Sequence, residues 1–427
     1  MTALLERPLL SRPSPRRQLT LRQALVALFV SVLAFGIVRA SIPHTILGDL
    51  HVYRAEGMAI RHGADLYAHL PGVQNLATYP PFAAVVFVVL TPVPIAALQV
   101  LCLIVNFGLL VLVCTLSCQL AGVRGRAAAV PVALFSAVAL WSEPVFTTFA
   151  YGQINLLLLA LVLWDFTRRE GSPLRGVGTG LAAGMKVTPA ILIVYLVLTK
   201  RYRAAATATG TFAATIGLSA LVDPRGARAF WTHDLFDLQR VGNVEDAVNQ
   251  TVRGMLVRLD HTRSTRPTEL LLILLVLVAG LVIARAAHRV LGDEWGLPAC
   301  AVTGLLTSPI AWTHHWIWVV PIAILLWYRA RAWLIPTVAI FSTFAVWIVP
   351  HVHSPQLRLT PVEIACSGLY VLFGFGFLAL TARRSWLAWR HSGSDGLSGS
   401  DGLAAADDLA AADGLAASGD LVAVTGP

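Results

Sequence analysis

Asp49 is the residue whose type and position point most directly to chemistry. It follows the first long apolar segment, residues 21–42, and stands beside His51, Tyr53 and Arg54. Arginines precede that segment, and basic residues before a membrane span tend to stay in the cytoplasm, so we expect Asp49 on the outer side. A carboxylate there can act as a general base on a lipid-borne substrate. The simpler interpretation is an aspartate that begins a helix.

A lysine inside an apolar stretch is a second candidate. Lys186 is followed by Thr188 and Pro189, and the residue before a proline tends to end a helix. A buried ammonium is costly unless it lies near the membrane interface, is paired, or binds an anion. The phosphate of a lipid-linked substrate is a natural partner. The alternative is a lysine that only extends to the interface.

Residues 249–254 combine two amides, Asn249 and Gln250, with the guanidinium of Arg253. Arginine suits bidentate recognition of phosphate. Further arginines make the surrounding loop basic, and attraction to anionic lipid is the simpler explanation for some of them. Arg253 is therefore a candidate phosphate ligand, and the two amides are candidate sugar ligands.

Paired histidines follow a serine-proline turn near residue 308. His314 and His315 are adjacent, so on a helix they point to different sides and form a poor chelating pair. We predict no metal site, and one of the two can hydrogen-bond a phosphate or a leaving group. Trp312 is either a platform for a sugar ring or an ordinary interfacial tryptophan.

Three further polar residues border predicted outer turns: Gln153, Asn155 and Tyr79. The two side-chain amides suit a hydroxyl-rich substrate, with interhelical hydrogen bonding in a membrane bundle as the alternative. Tyr79 precedes two prolines, which fix a rigid bend. No nucleotide loop, dinucleotide fingerprint or serine-hydrolase motif occurs in a usable context. An outward-facing enzyme of this kind would need an activated donor carried on a lipid.

Composition defines the elements that must position these residues. Of the 427 residues, 56% are hydrophobic and 13% charged, whereas soluble domains are about 25% charged. The mean hydropathy is +0.70. The chain is therefore predicted to be a polytopic membrane protein. Its net charge of +9 resides mainly in short clusters between apolar runs, so we expect membrane lipids and no nucleic acid as partners.

The apolar runs predict an all-α bundle of about twelve transmembrane helices with juxtamembrane helices on the outer face. The predicted spans are 21–42, 96–120, 127–142, 152–167, 176–187, 189–200, 204–222, 268–286, 296–310, 313–328, 335–350 and 362–382. This arrangement places the basic clusters and both termini in the cytoplasm. It requires that the apolar stretch after Phe82 does not cross the membrane, and Pro92 and Pro94 with its shortness favour a surface or re-entrant helix.

Three regions follow from these patterns. Residues 1–20 form a cytoplasmic N-terminal segment and residues 21–385 the membrane domain. Residues 386–427 are predicted to be a disordered cytoplasmic tail, because serine, glycine, alanine and aspartate cannot bury enough apolar surface to offset the ordering entropy.

Taken together, the motifs resemble the GT-C superfold of membrane glycosyltransferases, and more closely glycosyltransferase family 87. Their order and spacing along the membrane domain support this resemblance. The matching residues are Asp49, Val52 and Tyr53; Leu66 and Tyr67; Thr78 to Phe82; Tyr151 to Gln153 and Asn155; Gly184, Lys186, Thr188 and Pro189; Asn249, Gln250, Arg253 and Gly254; and Ser308, Pro309, Trp312 and His314 to Trp316.

The resemblance implies a plasma-membrane enzyme that moves mannose from polyprenyl phosphate mannose to a 2-hydroxyl of a mannose-containing lipid on the outer face. Phosphatidylinositol mannosides, lipomannan and lipoarabinomannan are the implied acceptors, the reaction is inverting, and neither cofactor nor metal is implied. Asp49 matches the family's catalytic base. Residue chemistry and predicted location assign the donor phosphate to Lys186, Arg253 and His315. The sugar- and acceptor-binding candidates are Tyr53, Arg54, Tyr79, Gln153, Asn155, Asn249, Gln250, Trp312 and His314.

Other functions fit the same pattern less well. A transporter or flippase of a polyprenyl-linked glycan would also be polytopic, but such proteins often show internal repeats, and none is evident. A non-catalytic scaffold would not explain acidic and basic residues gathered on one side. Within the enzyme class, another lipid-phosphate sugar such as arabinose is an alternative to mannose.

Overall fold

The computed structural model describes residues 19–41, 47–263, 266–349 and 359–394. Eighteen α-helices and no β-strand form in these ranges. The helices are α1 (Leu21–Ser41), α2 (Gly48–His62), α3 (Pro81–Phe87), α4 (Ile95–Leu120), α5 (Arg126–Ala139), α6 (Glu143–Tyr151), α7 (Asn155–Phe166), α8 (Val177–Met185), α9 (Ile191–Leu198), α10 (Tyr202–Val222), α11 (Pro224–Thr232), α12 (Val252–Asp260), α13 (Pro267–Leu291), α14 (Asp293–Thr307), α15 (Val319–Arg329), α16 (Leu334–Ser342), α17 (Pro361–Ser367) and α18 (Leu369–Ser394).

The helical membrane class is confirmed, but fewer helices than predicted are long enough to cross a bilayer by themselves. Within the described ranges, α1, α4, α10, α13 and the segment Arg331–Ile348 have the length and apolarity of a span. The number is seven if each of the bent pairs α5–α6 and α17–α18, with angles of 72° and 59°, is counted as one broken span. The remaining predicted spans correspond to short helices such as α7, whose 12 residues extend roughly 18 Å against a hydrocarbon core of about 30 Å.

The apolar stretch after Phe82 forms a short helix, as predicted. Helix α3 and the following 3₁₀ turn cover Pro81–Leu90, an apolar length of roughly 15 Å that cannot cross the membrane alone. It packs tightly on α2, because a Cβ atom at Gly57 would lie 2.5 Å from the carbonyl oxygen of Phe87. This close approach brings one face of α2 against the segment that contains Tyr79.

Helix α8 is held by close contacts at its glycines. A Cβ atom at Gly178 would lie 2.3 Å from the carbonyl oxygen of Leu161 in α7, and one at Gly180 would lie 2.5 Å from that of Ala208 in α10. Small residues at helix interfaces in membranes permit this approach. The glycine-rich sequence is thus a packing surface, and it fixes the direction in which α8 ends at Lys186.

Basic loops that the charge pattern places on one side of the membrane meet in the structure. Asp293 accepts hydrogen bonds from Arg201 (2.6 and 2.9 Å) and His288 (3.0 Å), and Arg175 lies 3.5 Å away. Burial alone would raise the pKa of Asp293, but the hydrogen bonds from His288 and Arg201 and the charge of Arg201 hold it well below its usual value. We call this cluster of four residues the basic end.

Two helices connect the basic end to a second group of polar residues, which includes Lys186 and Ser308. Helix α8 begins just after Arg175 and ends at Lys186, and α14 runs from Asp293 to Thr307, next to Ser308. The 15 residues of α14 span roughly 22 Å, so the two groups lie at opposite ends of the bundle.

The last helix, α18, continues to Ser394 and therefore includes residues 386–394 of the predicted tail. Residues 395–427 and the N-terminal segment up to residue 18 lie outside the described ranges.

Candidate active site

Helix α2 places three polar side chains along one face. Asp49, Tyr53 and Glu56 are separated by four and then three residues, the spacing that aligns side chains on a helix. All three line a cavity of about 1020 Å³ at the end of the bundle opposite the basic end. Asp49 lies in the first turn of α2, where the helix dipole favours negative charge.

Gln153 holds the carboxylate of Asp49. Its Nε2 donates to Oδ2 of Asp49, and its Oε1 accepts hydrogen bonds from the hydroxyls of Tyr53 and Tyr79, both at 3.0 Å. Only this orientation of the amide gives the carboxylate a donor. Gly152, with φ of 72°, turns the chain at this point, and a Cβ there would lie 2.9 Å from Cβ of Leu50.

Opposing influences set the protonation of Asp49. Burial raises its pKa above the usual value, whereas the hydrogen bond from Gln153 and the charge of Lys186 lower it; burial prevails. A raised pKa makes a carboxylate a stronger proton acceptor, which suits a general base.

Lys186 is a buried cation of the cavity, which Arg240, the ion-pair partner of Asp234, also lines. Only 8% of its surface is exposed, and its Nζ lies 2.7 Å from Nε2 of His315 and 3.2 Å from both Oδ1 of Asn155 and the hydroxyl of Tyr79. Among the described residues, no carboxylate lies within ion-pair distance of Lys186. A buried ammonium that has neutral ligands and faces a cavity can bind an anion.

The two histidines both line the cavity, in contrast to the expectation for an α-helix. They lie in a 3₁₀ segment, Thr313–Trp318, where their rings stand 4.7 Å apart at 85°. A protonated Lys186 donates to Nε2 of His315, which places the ring proton of His315 on Nδ1. Nε2 of His314 is buried and has no hydrogen-bond partner among the described residues. Trp312 also lines the cavity and packs over Gly242.

Asn249 and Gln250 are placed behind the cavity wall and do not line it. Both are fully buried. Oδ1 of Asn249 accepts from the backbone N–H of Ala311 at 3.0 Å, and the backbone N–H of Gln250 donates to the carbonyl of Ala311 at 2.8 Å. The Gln250 side chain bonds the backbone of Ala247, Ser367 and Tyr370. These amides hold the segment that contains Trp312 and the histidines.

Two predicted arginine ligands also lie elsewhere. Arg54 donates to the carbonyl of Thr91 at 3.2 Å, and neither it nor Arg253, in the first turn of α12, lines the cavity. The structure therefore gathers Asp49, Tyr53, Tyr79, Gln153, Lys186, Trp312, His314 and His315 at one cavity, with Asn155 just behind Lys186 and lining a small adjoining pocket.

Several cavity residues were not singled out from the sequence. Glu56, Asp234 and Asp246 all line the cavity. The spacing of Glu56 from Asp49 on a helix could have indicated it. The other two are brought in by the long loop 233–251, for which no local pattern exists. No three His, Cys, Asp or Glu side chains in the described ranges are arranged to bind a metal ion.

Comparisons with a family model and with individual known proteins agree with each other. Residues 77–309 match the model of glycosyltransferase family 87. A Mycobacterium tuberculosis (strain CDC 1551 / Oshkosh) protein named as a polyprenol-phosphate-mannose-dependent alpha-(1-2)-phosphatidylinositol pentamannoside mannosyltransferase is 37% identical over 332 residues, 74% of this chain and 75% of the relative.

Two relatives are named as acting on phosphatidylinositol mannoside with the same donor and linkage. The protein from M. tuberculosis strain H37Rv is 32% identical over 341 residues, covering 74% of this chain and 76% of its own. The one from Mycolicibacterium smegmatis is 30% identical over 375 residues, covering 78% and 82%. No solved structure gives a significant match.

Proposed function

The chain belongs to glycosyltransferase family 87, and we propose that it transfers mannose from polyprenyl phosphate mannose to a 2-hydroxyl of a mannose-containing phosphatidylinositol lipid. The observation that supports this most is the composition of one cavity. It contains a hydrogen-bonded carboxylate, Asp49, and a buried ammonium, Lys186, that pairs with no carboxylate in the described part of the chain. Sugar transfer from a lipid phosphate needs these two groups, one for the attacking hydroxyl and one for the leaving phosphate.

In the proposed reaction, Asp49 accepts the proton of the acceptor 2-hydroxyl as that oxygen attacks C1 of the donor mannose. The bond from C1 to the phosphate oxygen breaks, and polyprenyl phosphate leaves with its electron pair. Attack and departure on opposite faces of C1 convert a β donor into an α product. Gln153 and Tyr79 link Asp49 to Lys186 through hydrogen bonds, and all four side chains line the cavity in which the sugar would lie between base and phosphate.

Lys186 and His315 are the proposed ligands of the leaving phosphate. Their positions are set before the donor binds, because Asn155 accepts from Lys186 and donates to the carbonyl of His314 at 3.2 Å. Preorganised donors aimed at developing negative charge lower the barrier without reorganisation during the reaction. The proposal needs no cofactor beyond the lipid-linked donor. Arg253 receives no support as a phosphate ligand, because it does not line the cavity.

We propose that the cavity faces the outer side of the plasma membrane and that both termini are cytoplasmic. The gathering of Arg175, Arg201 and His288 at the far end of the bundle supports this orientation under the positive-inside rule. The short helices α7, α8, α9, α14 and α15 lead from the basic end to the cavity, which occupies the rest of the membrane thickness. Counting these partial crossings, the bundle has about twelve spans.

Mass spectrometry of products tests the proposal. Purified protein is supplied with labelled polyprenyl phosphate mannose and with phosphatidylinositol mannosides, lipomannan or lipoarabinomannan as acceptors. The expected product is one hexose heavier and α-1,2-linked. Movement of intact polyprenyl-linked sugar across a vesicle membrane without a new glycosidic bond would instead identify a transporter. A pentose donor that is preferred to mannose would overturn the sugar assignment.

A further inference from the structure

Glu56 is a second acidic residue in the cavity, and the reaction above does not use it. Only 3% of its surface is exposed, and it lines the cavity two turns beyond Asp49 on α2. In the described part of the chain, no donor forms a hydrogen bond to its carboxyl group. Burial of a carboxyl group without a partner is costly, so its retention here calls for an explanation.

The carboxyl group of Glu56 is in a state that suits binding to hydroxyls. Burial, and secondarily the charge of Asp49, raise its pKa to about 8. At neutral pH the group is therefore mostly uncharged, and a neutral carboxyl can both donate and accept a hydrogen bond. Vicinal hydroxyls of a sugar ring, each a donor and an acceptor, match this capacity.

Glu56 occupies the part of the cavity away from the proposed phosphate site. The charge of Lys186 acts on Asp49, whereas the charge that acts on Glu56 is that of Asp49. Near Glu56 the wall includes Phe230 of α11 and Asp234 and Leu235 of the long loop. A sugar bound at Glu56 would thus approach Asp49 from the side opposite the donor phosphate.

The spacing of Asp49 and Glu56 along the axis of α2 fits one sugar ring. Seven residues of α-helix advance about 10 Å along the axis. Two hydrogen bonds of about 2.8 Å with a hexose ring of about 5 Å between them fill this distance. One ring can therefore present a hydroxyl to Asp49 while its opposite edge reaches Glu56.

We propose that Glu56 binds the terminal sugar of the acceptor through ring hydroxyls and thereby selects the hydroxyl that reaches Asp49. This inference rests on the proposed transferase function and adds a residue that determines acceptor specificity. Glu56 takes no part in proton transfer. It positions the nucleophile, and its loss should weaken acceptor binding with little effect on the donor.

Steady-state kinetics of Glu56→Ala and Glu56→Gln test this role. We expect Glu56→Ala to raise the KM for acceptor about tenfold or more and to leave the KM for donor within about twofold, as loss of a hydrogen bond to a buried polar group predicts. Glu56→Gln keeps one donor and one acceptor and should recover part of the affinity. His62→Ala is the matched control, because His62 is an exposed residue of the same helix that bonds the carbonyl of Met58.

Acceptor analogues that lack one ring hydroxyl distinguish binding from a structural role. The wild-type enzyme should discriminate against at least one analogue, and Glu56→Ala, or Glu56→Gln if the alanine variant does not fold, should lose or reduce that discrimination. Undiminished discrimination, an unchanged acceptor KM, or a parallel rise of both KM values would overturn the inference. Absence of any sugar transfer by the wild-type protein would instead overturn the proposed function.

Discussion

Gln153 donates a hydrogen bond from Nε2 to Oδ2 of Asp49 while its Oε1 accepts hydrogen bonds from Tyr53 and Tyr79 at 3.0 Å. The two tyrosines fix the amide so that its NH₂ group faces the carboxylate. Asp49 is thereby oriented into the cavity, and the negative charge that a base requires is stabilised without an arginine or lysine in direct contact. Because an amide is uncharged, it orients and stabilises the carboxylate of Asp49 without neutralising its charge.

Replacing Gln153 by alanine should lower kcat by about 10- to 100-fold, because the base loses its orienting donor. The pKa of Asp49 should rise further, since the lost hydrogen bond favours the charged form. The acid limb of the pH–rate profile should therefore move to higher pH. Gln99→Ala is the control, because Gln99 contacts His51 on the other side of α2, outside the cavity. Equal effects of the two substitutions would contradict this assignment.

The rate of transfer should fall with decreasing pH, with a midpoint above the value of about 3.9 for an ordinary aspartate. Asp49 is the base only when ionised, and burial raises its pKa against the hydrogen bond from Gln153 and the charge of Lys186. Loss of activity on acidification thus begins at a higher pH than for an exposed carboxylate. The ionisable groups that act on or lie near Asp49 are Lys186, Tyr53, Glu56, Tyr79 and Tyr151. A rate that is constant down to pH 4 would exclude Asp49 as the titrating base.

Replacing Lys186 by methionine should reduce kcat/KM for the donor by about 10²- to 10³-fold, the usual effect of removing one donor to developing charge. The substitution retains most of the side-chain volume and removes the charge. Lys200→Met is the matched control. Lys200 lies just after the C-terminal end of α9, whereas Lys186 lies before its N-terminal end, and Lys200 does not line the cavity. Kinetics at varied donor concentration measure the effect. A rise in acceptor KM with unchanged donor kinetics would place the phosphate elsewhere.

Asp293→Asn should destabilise the protein by about 3–5 kcal/mol, because it leaves the buried guanidinium of Arg201 without its anion. Glu294→Gln, at the next position, breaks an ion pair with the more exposed Arg329 and should cost about 0–1 kcal/mol. Thermal unfolding in detergent compares the two variants. Equal melting temperatures would show that the basic end contributes little to stability.

Local patterns in the sequence predicted much of the fold and the centre of the site. The shortness of α3 and the placement of Asp49, Gln153, Lys186 and His315 at one end of the bundle follow from apolar runs and from polar residues at their ends. Polar residues near the end of a helix indicate where a site can lie, because helices packed side by side bring their ends to the same side of the bundle.

Other assignments depend on long-range partners that a single sequence does not reveal. The side-chain amides of Asn249 and Gln250 have the same chemistry whether they bind a sugar or, as here, backbone groups of Ala311 and Ser367. The number of full spans also differs from the prediction, because short apolar helices that end at a cavity have the same composition as true spans. Glu56 was detectable from its spacing to Asp49.

The role of Asp49 as the base is tested most directly by measuring sugar transfer by the Asp49→Asn variant in purified membranes with labelled polyprenyl phosphate mannose. His51→Ala is the control, since His51 lies on α2 but contacts Gln99, outside the cavity. Asparagine retains the shape and one hydrogen-bonding oxygen but cannot accept the hydroxyl proton. Product formation should be abolished while the protein remains folded and inserted and still binds the donor. Turnover at the wild-type rate would show that Asp49 is not the base.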